Sequence, residues 1–227
     1  MNRILSLALL STIAAAPSFT GGCAAPPHAT GSEPAVRSQR GPGRELAPSP
    51  VSLEELVLLQ EALLFGEDDI EALRMSLEVL RPQVEDVLDV WYGFVGSTPQ
   101  LVRYFSDAKT GEPDPRYLAQ VRTRFARWIL DTAAADYDQD WLDLQHEIGL
   151  RHHSLRKNLT DRVDSVPIVH FRYLPALAYP ITATLKPFLA KGGHDAEAVE
   201  RMHQAWIKSV LLQSILWSHP YVNEGEF

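Results

Sequence analysis

An all-α domain is what this sequence predicts, on three observations. From Val51 onward apolar side chains recur every three or four residues, the spacing that gathers them on one face of a helix. Cap and stop residues punctuate that pattern at helix-length intervals. No stretch alternates apolar and polar side chains as a half-buried strand would.

The elements follow in order. Ser52-Leu53-Glu54-Glu55 is a capping box that opens a helix to about Phe65. A second helix runs from Asp68 to about Leu80. Pro82 suits the first turn of a third, which reaches Phe94 and stops near Gly96. A short turn of helix from Pro99 to Phe105 precedes a Gly/Asp/Pro loop. Asp114-Pro115 is a cap followed by an N1 proline, opening a helix to about Thr132. Asp138 starts another, to about Leu155. Pro167 to Leu189 is strongly apolar but carries Pro167, Pro175, Pro180 and Pro187, which predicts a kinked or broken helix. Lys191-Gly192-Gly193 is a stop, Asp195 a new cap, and a last long helix reaches Ser218 before Pro220.

The first fifty residues are of another kind. Arg3 and the thirteen-residue apolar run Ile4–Ala16 suit a secretory signal peptide over residues 1–23, since a bilayer span takes about 20 apolar residues. Thr20-Gly21-Gly22-Cys23 resembles a lipoprotein cleavage site, with Thr20 where such sites usually carry Leu. Three endings stay open: lipidation that tethers the protein to a membrane through Cys23, ordinary cleavage, or an uncleaved anchor with Cys23 incidental. Either way the expectation is an exported protein, periplasmic or lipid-anchored, or a cytoplasmic one if the segment does not act as a signal. Residues 24–50 hold six prolines and almost no large apolar side chains, which predicts a disordered tether. A later start is a poor alternative, because the next methionine is Met75, inside the domain.

Composition excludes several functions. The chain has 227 residues and a formal charge of −8, so nucleic acid, whose phosphates need a positive face, is not the expected partner. A single cysteine excludes intrachain disulfides, cysteine-rich zinc sites and iron–sulfur clusters.

The informative element is the helix opened by Asp138. Its apolar stripe reads Trp141, Leu144, Ile148, His152, Leu155, so His152 stands where the pattern asks for a hydrophobe. Such an imidazole is either a hydrogen-bonded core residue or a ligand to something held against the stripe. Gly149, beside it, is read as leaving room for a flat and bulky group, and His153 as facing water or a polar ligand edge. His146 and His153 lie two turns apart, roughly 10 Å by helix rise, too far to share one ion, although His170 or His203 could join either. His146-Glu147 lacks the second histidine of a His-Glu-x-x-His motif. No serine sits in a Gly-x-Ser-x-Gly turn, and the sequon Asn158-Leu159-Thr160 carries no weight behind a bacterial-type leader. Val84, Leu88, Trp91 and Val95 form the inner stripe of the third helix with Tyr92 at its edge. Leu118, Val121, Phe125 and Trp128 do the same for the Pro115 helix. Taken alone, these aromatics read as core packing.

Four motifs in order, Trp91-Tyr92-Gly93-Phe94-Val95-Gly96, Arg124-Phe125-Ala126-Arg127-Trp128-Ile129-Leu130-Asp131-Thr132, Glu147-Ile148-Gly149-Leu150-Arg151-His152-His153 and Tyr179-Pro180-Ile181-Thr182-Ala183-Thr184, resemble the protoglobin family. The resemblance spans residues 51–227. It implies a globin fold, a helical sandwich with an extra N-terminal helix, and one haem b (iron protoporphyrin IX). By it His152 matches the proximal iron ligand, its other ring nitrogen donating to a carbonyl one turn back. Ile148 belongs to the same wall. Tyr92 matches the distal tyrosine, and Trp91 and Phe125 match distal aromatics. Leu177 stands where the family can carry Phe, which widens the expected pocket. Of Arg122, Arg124, Arg127 and Arg151, either all form a solvated basic face or one or two, Arg124 among them, pair with the haem propionates.

The function this implies is reversible binding of dioxygen, carbon monoxide or nitric oxide, with no catalytic residue assigned. The alternatives are haem-dependent nitric oxide dioxygenation or peroxidase-like detoxification fed by an external electron donor, gas sensing through a partner protein, and a helical lipoprotein without cofactor. The last helix, with Val199, Trp206, Val210, Leu211 and Trp217, is apolar around more than half its girth. Because family members look like homodimers through such helices, a homodimer is expected.

Overall fold

Four of the residues expected to open helices do so as caps. Ser52 Oγ accepts the Glu55 N–H at 3.2 Å, and Glu55 returns a carboxylate to Ser52 N–H at 2.8 Å. Asp114, Asp138 and Asp195 accept from Tyr117, Trp141 and Ala198 N–H at 3.0, 2.8 and 2.8 Å. Each such cap contributes about 1 kcal/mol by satisfying a backbone donor that the helix leaves orphaned. The computed structural model describes residues 46–223 and 225–227, which all fall in one compact unit. The predicted signal peptide, Cys23 and the predicted tether up to residue 45 lie outside the described residues.

Nine α-helices result among the described residues: α1 (Leu53–Ala62), α2 (Glu67–Leu80), α3 (Val84–Gly96), α4 (Pro99–Val102), α5 (Pro115–Ala134), α6 (Gln139–His152), α7 (Lys157–Asp161), α8 (Tyr173–Leu189) and α9 (Ala196–Leu216). Among the described residues there is no strand, only two isolated bridges in the loops beside α4 and α7. Helix α2 passes into α3 through a 3-10 turn, Arg81–Gln83, that accommodates Pro82.

Three boundaries differ from expectation. Helix α1 ends at Ala62 rather than near Phe65, because Leu64 adopts φ +52° and swings Phe65 inward against Tyr137, ring centroids 5.4 Å apart. Helix α6 ends at His152, and Leu155 is 56% exposed, so the inward stripe stops at the histidine. Residues 167–172 are not helical. Helix α8 begins at Tyr173, puts Pro175 in its first turn and runs through Pro180 and Pro187 to Leu189. Helix α7 was not foreseen, being only five residues long.

The core lies between α8 and α9, which pack together, and α2, which crosses both α9 and α5. Of the five α9-region side chains taken as a sign of an apolar outer surface, Val199, Trp206, Val210 and Trp217 are buried in this core and only Leu211 is exposed. The broad apolar girth therefore reports a helix packed on several sides. Its indoles are satisfied internally. Trp206 Nε1 donates to Ser76 Oγ at 2.9 Å and Trp128 Nε1 to Gln213 Oε1 at 2.6 Å, which removes the cost of burying a polar N–H. Helix α1 joins through a smaller cluster in which Leu56 meets Trp141 and Leu142 of α6 and Leu212 and Leu216 of α9.

Candidate functional site

The ends of α3, α5, α6 and α8 leave a pocket closed below by α7 and by the residue after α9. All seven side chains singled out from the sequence, Trp91, Tyr92, Arg124, Phe125, Ile148, His152 and Leu177, line it.

His152 is the last residue of α6. Its Nδ1 lies 2.8 Å from the Ile148 carbonyl. A carbonyl can only accept, so in the neutral ring Nδ1 carries the proton and Nε2 keeps the lone pair. Burial holds the imidazole below its usual range against the opposing pull of that carbonyl, and so keeps it neutral. The histidine's own carbonyl accepts from Val169 N–H at 2.8 Å, tying the loop before α8 to it. Trp217 stacks on the ring with centroids 5.6 Å apart and planes 21° from parallel, and its Nε1 donates to Gln145 Oε1 at 2.9 Å.

Gly149 corrects the expectation made for it. Its open side is filled by protein: a Cβ there would lie 3.1 Å from Trp217 Cα and 3.1 Å from Trp217 O. The glycine permits a close backbone approach, not a ligand, and the approach sets Trp217 against His152.

The opposite wall is aromatic. Trp91 meets Phe125 edge-on at 5.7 Å, and Tyr92 meets Phe125 and Phe105 at 6.5 and 6.4 Å. Burial raises the Tyr92 phenol to about 12, with Arg122 and Arg124 pulling it back. It therefore stays a protonated donor across the physiological range. Leu177 packs beside Trp91, Val95 and Leu101.

One corner is charged. Arg124 makes a fork to Asp161 at 2.7 and 2.6 Å, with Asp161 buried. Arg151 reaches the buried Glu147 at 3.0 Å. Both line the pocket, whereas Arg122, bound to Glu85 and Asp89, and Arg127, beside Asp131, do not. Lys157 completes the corner. Its Nζ donates to the Tyr104 carbonyl at 3.1 Å and to Ser165 Oγ at 3.3 Å, and burial lowers it to about 8 against the pull of Asp161. Sequence reasoning missed Lys157, Tyr104, Tyr117, Tyr173 and the role of Trp217. A lysine in a basic run such as Arg156-Lys157 carries no signal of burial.

Among the described residues other histidines stand elsewhere: His153 against Tyr221, His146 against His219, His170 on Tyr104, and His203 on α9. Among the described residues no group of three or more His, Cys, Asp or Glu side chains could hold a metal ion. The pocket offers instead one imidazole lone pair, flat apolar walls and cations at one corner. That donor set fits a planar apolar macrocycle that brings its own equatorial ligands and two carboxylates.

A helical shell closing on such a pocket from one imidazole-bearing helix is that of a globin. The family model for protoglobin matches residues 52–227, and the chain belongs to the protoglobin family. It is thus a haem-binding globin with an additional N-terminal helix, α1. No curated protein matches the chain.

Proposed function

We propose that this protoglobin binds diatomic gases (dioxygen, carbon monoxide, nitric oxide) reversibly at ferrous haem b held by Nε2 of His152. The observation that carries the reading is the His152 imidazole, neutral, oriented by the Ile148 carbonyl and facing a mostly apolar pocket. The haem supplies the iron that takes the gas. Tyr92, a protonated phenol on the same pocket, donates a hydrogen bond to the bound ligand, and Trp91 and Phe125 exclude water around it. The b type is favoured because the one cysteine, Cys23, precedes the matched region, so no pair of thioether links can form. Arg124, Arg151 and Lys157 line the pocket, and the propionates would pair with one or two of them. His152→Ala is expected to abolish stable haem uptake, read from the Soret band of reconstituted protein. Stoichiometric haem in that variant would refute the assignment.

We also propose export with a membrane tether at Cys23, and a homodimer. Exposed Tyr179 on α8 and Leu211 on α9 favour the second. The mass of the mature N-terminus and light scattering at micromolar concentration check these two; an intact Met1 or a monomer mass would overturn them.

A further inference from the structure

Of the tyrosines lining the pocket, Tyr104 is set apart by its partner. Its hydroxyl lies 2.8 Å from His170 Nδ1. Among the described residues the other two tyrosine hydroxyls with a protein partner, Tyr137 and Tyr221, meet a serine hydroxyl and a backbone carbonyl, neither of which can take a proton near neutral pH. The Tyr104 ring is 4% exposed, lines the pocket beside Lys157, and meets Tyr173 edge-on at 5.7 Å. His170 and Tyr173 are both half-buried, so they connect this buried phenol to the surface.

A phenol that loses an electron becomes a strong acid, so in a buried site the electron leaves easily only if a base takes the proton in the same event. We propose that Tyr104 and His170 form a proton-coupled one-electron relay that lets small phenolic reductants at the surface deliver electrons to the haem pocket during peroxide reduction. This rests on the haem-binding reading.

The balance closes. Haem, when bound, would supply the reduction of hydrogen peroxide to two waters, which takes two protons and two electrons. In each of two rounds, Tyr104 returns one electron, its O–H breaks, and the proton passes to His170 Nδ1. A phenolic donor then gives one electron to the Tyr104 radical and releases its own proton to water, while His170 returns the proton to the Tyr104 oxygen. Two donor molecules are oxidised per peroxide.

The test uses the full chain reconstituted with haem, treated with hydrogen peroxide and freeze-quenched for electron paramagnetic resonance. In parallel a nitroso spin trap is added and the adduct is mapped by peptide mass spectrometry. A phenoxyl signal and an adduct on Tyr104 are expected. Tyr104→Phe should lose both, and His170→Gln, which keeps the phenol but removes the base, should slow radical formation roughly tenfold or more. A wild-type Soret band without an adduct on Tyr104, or a signal that survives Tyr104→Phe, overturns the relay while leaving haem binding intact. An unchanged rate in His170→Gln overturns the pairing, and it decides alone if Tyr104→Phe takes up no haem. A wild-type chain with no Soret band overturns both readings.

Discussion

The two walls of the pocket are built differently. The wall bearing His152 is held by the backbone: Ile148 O on Nδ1, Val169 N–H on the histidine's carbonyl, and the Trp217 backbone against Gly149. The facing wall of Trp91, Tyr92, Phe125 and Leu177 is held by side-chain packing, with ring centroids 5.7 to 6.5 Å apart. Backbone contacts have few alternative geometries, whereas packed rings can repack at modest cost. In the proposed function the first wall would fix where the haem sits, and the second would be free to vary what binds to it.

Substitutions should separate the two. The largest effect is expected from Trp217→Ala. It removes a buried ring and leaves Gln145 Oε1, in a side chain 2% exposed, without its donor. The expected loss is about 3–5 kcal/mol by urea unfolding, with a less ordered His152 ring. A loss below 1 kcal/mol would show that the stack is incidental. Gly149→Ala comes next. Its Cβ meets backbone rather than a movable side chain, so about 1–3 kcal/mol is expected from overpacking, together with a shifted Soret maximum; a neutral result would deny the close approach. On the facing wall, Tyr92→Phe should leave stability nearly unchanged. Dioxygen should then leave roughly tenfold faster, the consequence of one lost hydrogen bond of about 1.4 kcal/mol, measured by stopped-flow dissociation. Leu177→Phe should have the smallest effect, slowing carbon monoxide recombination after flash photolysis by partly filling the pocket. If these two changed stability more than Gly149→Ala, the contrast between the walls would fail.

Much of the pocket lining was legible in the sequence. His152 announces itself by breaking an apolar stripe, and Pro115 after Asp114 marks a helix start in any context. Gly149 shows the limit. The residue is visible, but its reason, a neighbour 68 positions away in the chain, is not. Helix α7 went unseen because five residues carry too little periodicity, and with it went Lys157 and the Asp161 that pairs with Arg124.

The sequence alone determined the long helices and the one out-of-place imidazole, because caps, prolines and side-chain period act within a few residues of chain. Which apolar faces became core and which became pocket was decided only in three dimensions. The girth of α9 reads identically whether it meets a second chain or the helices of its own. The stacking of Trp217 on His152 and the pairing of Tyr104 with His170 likewise depend on long-range packing that no local pattern encodes.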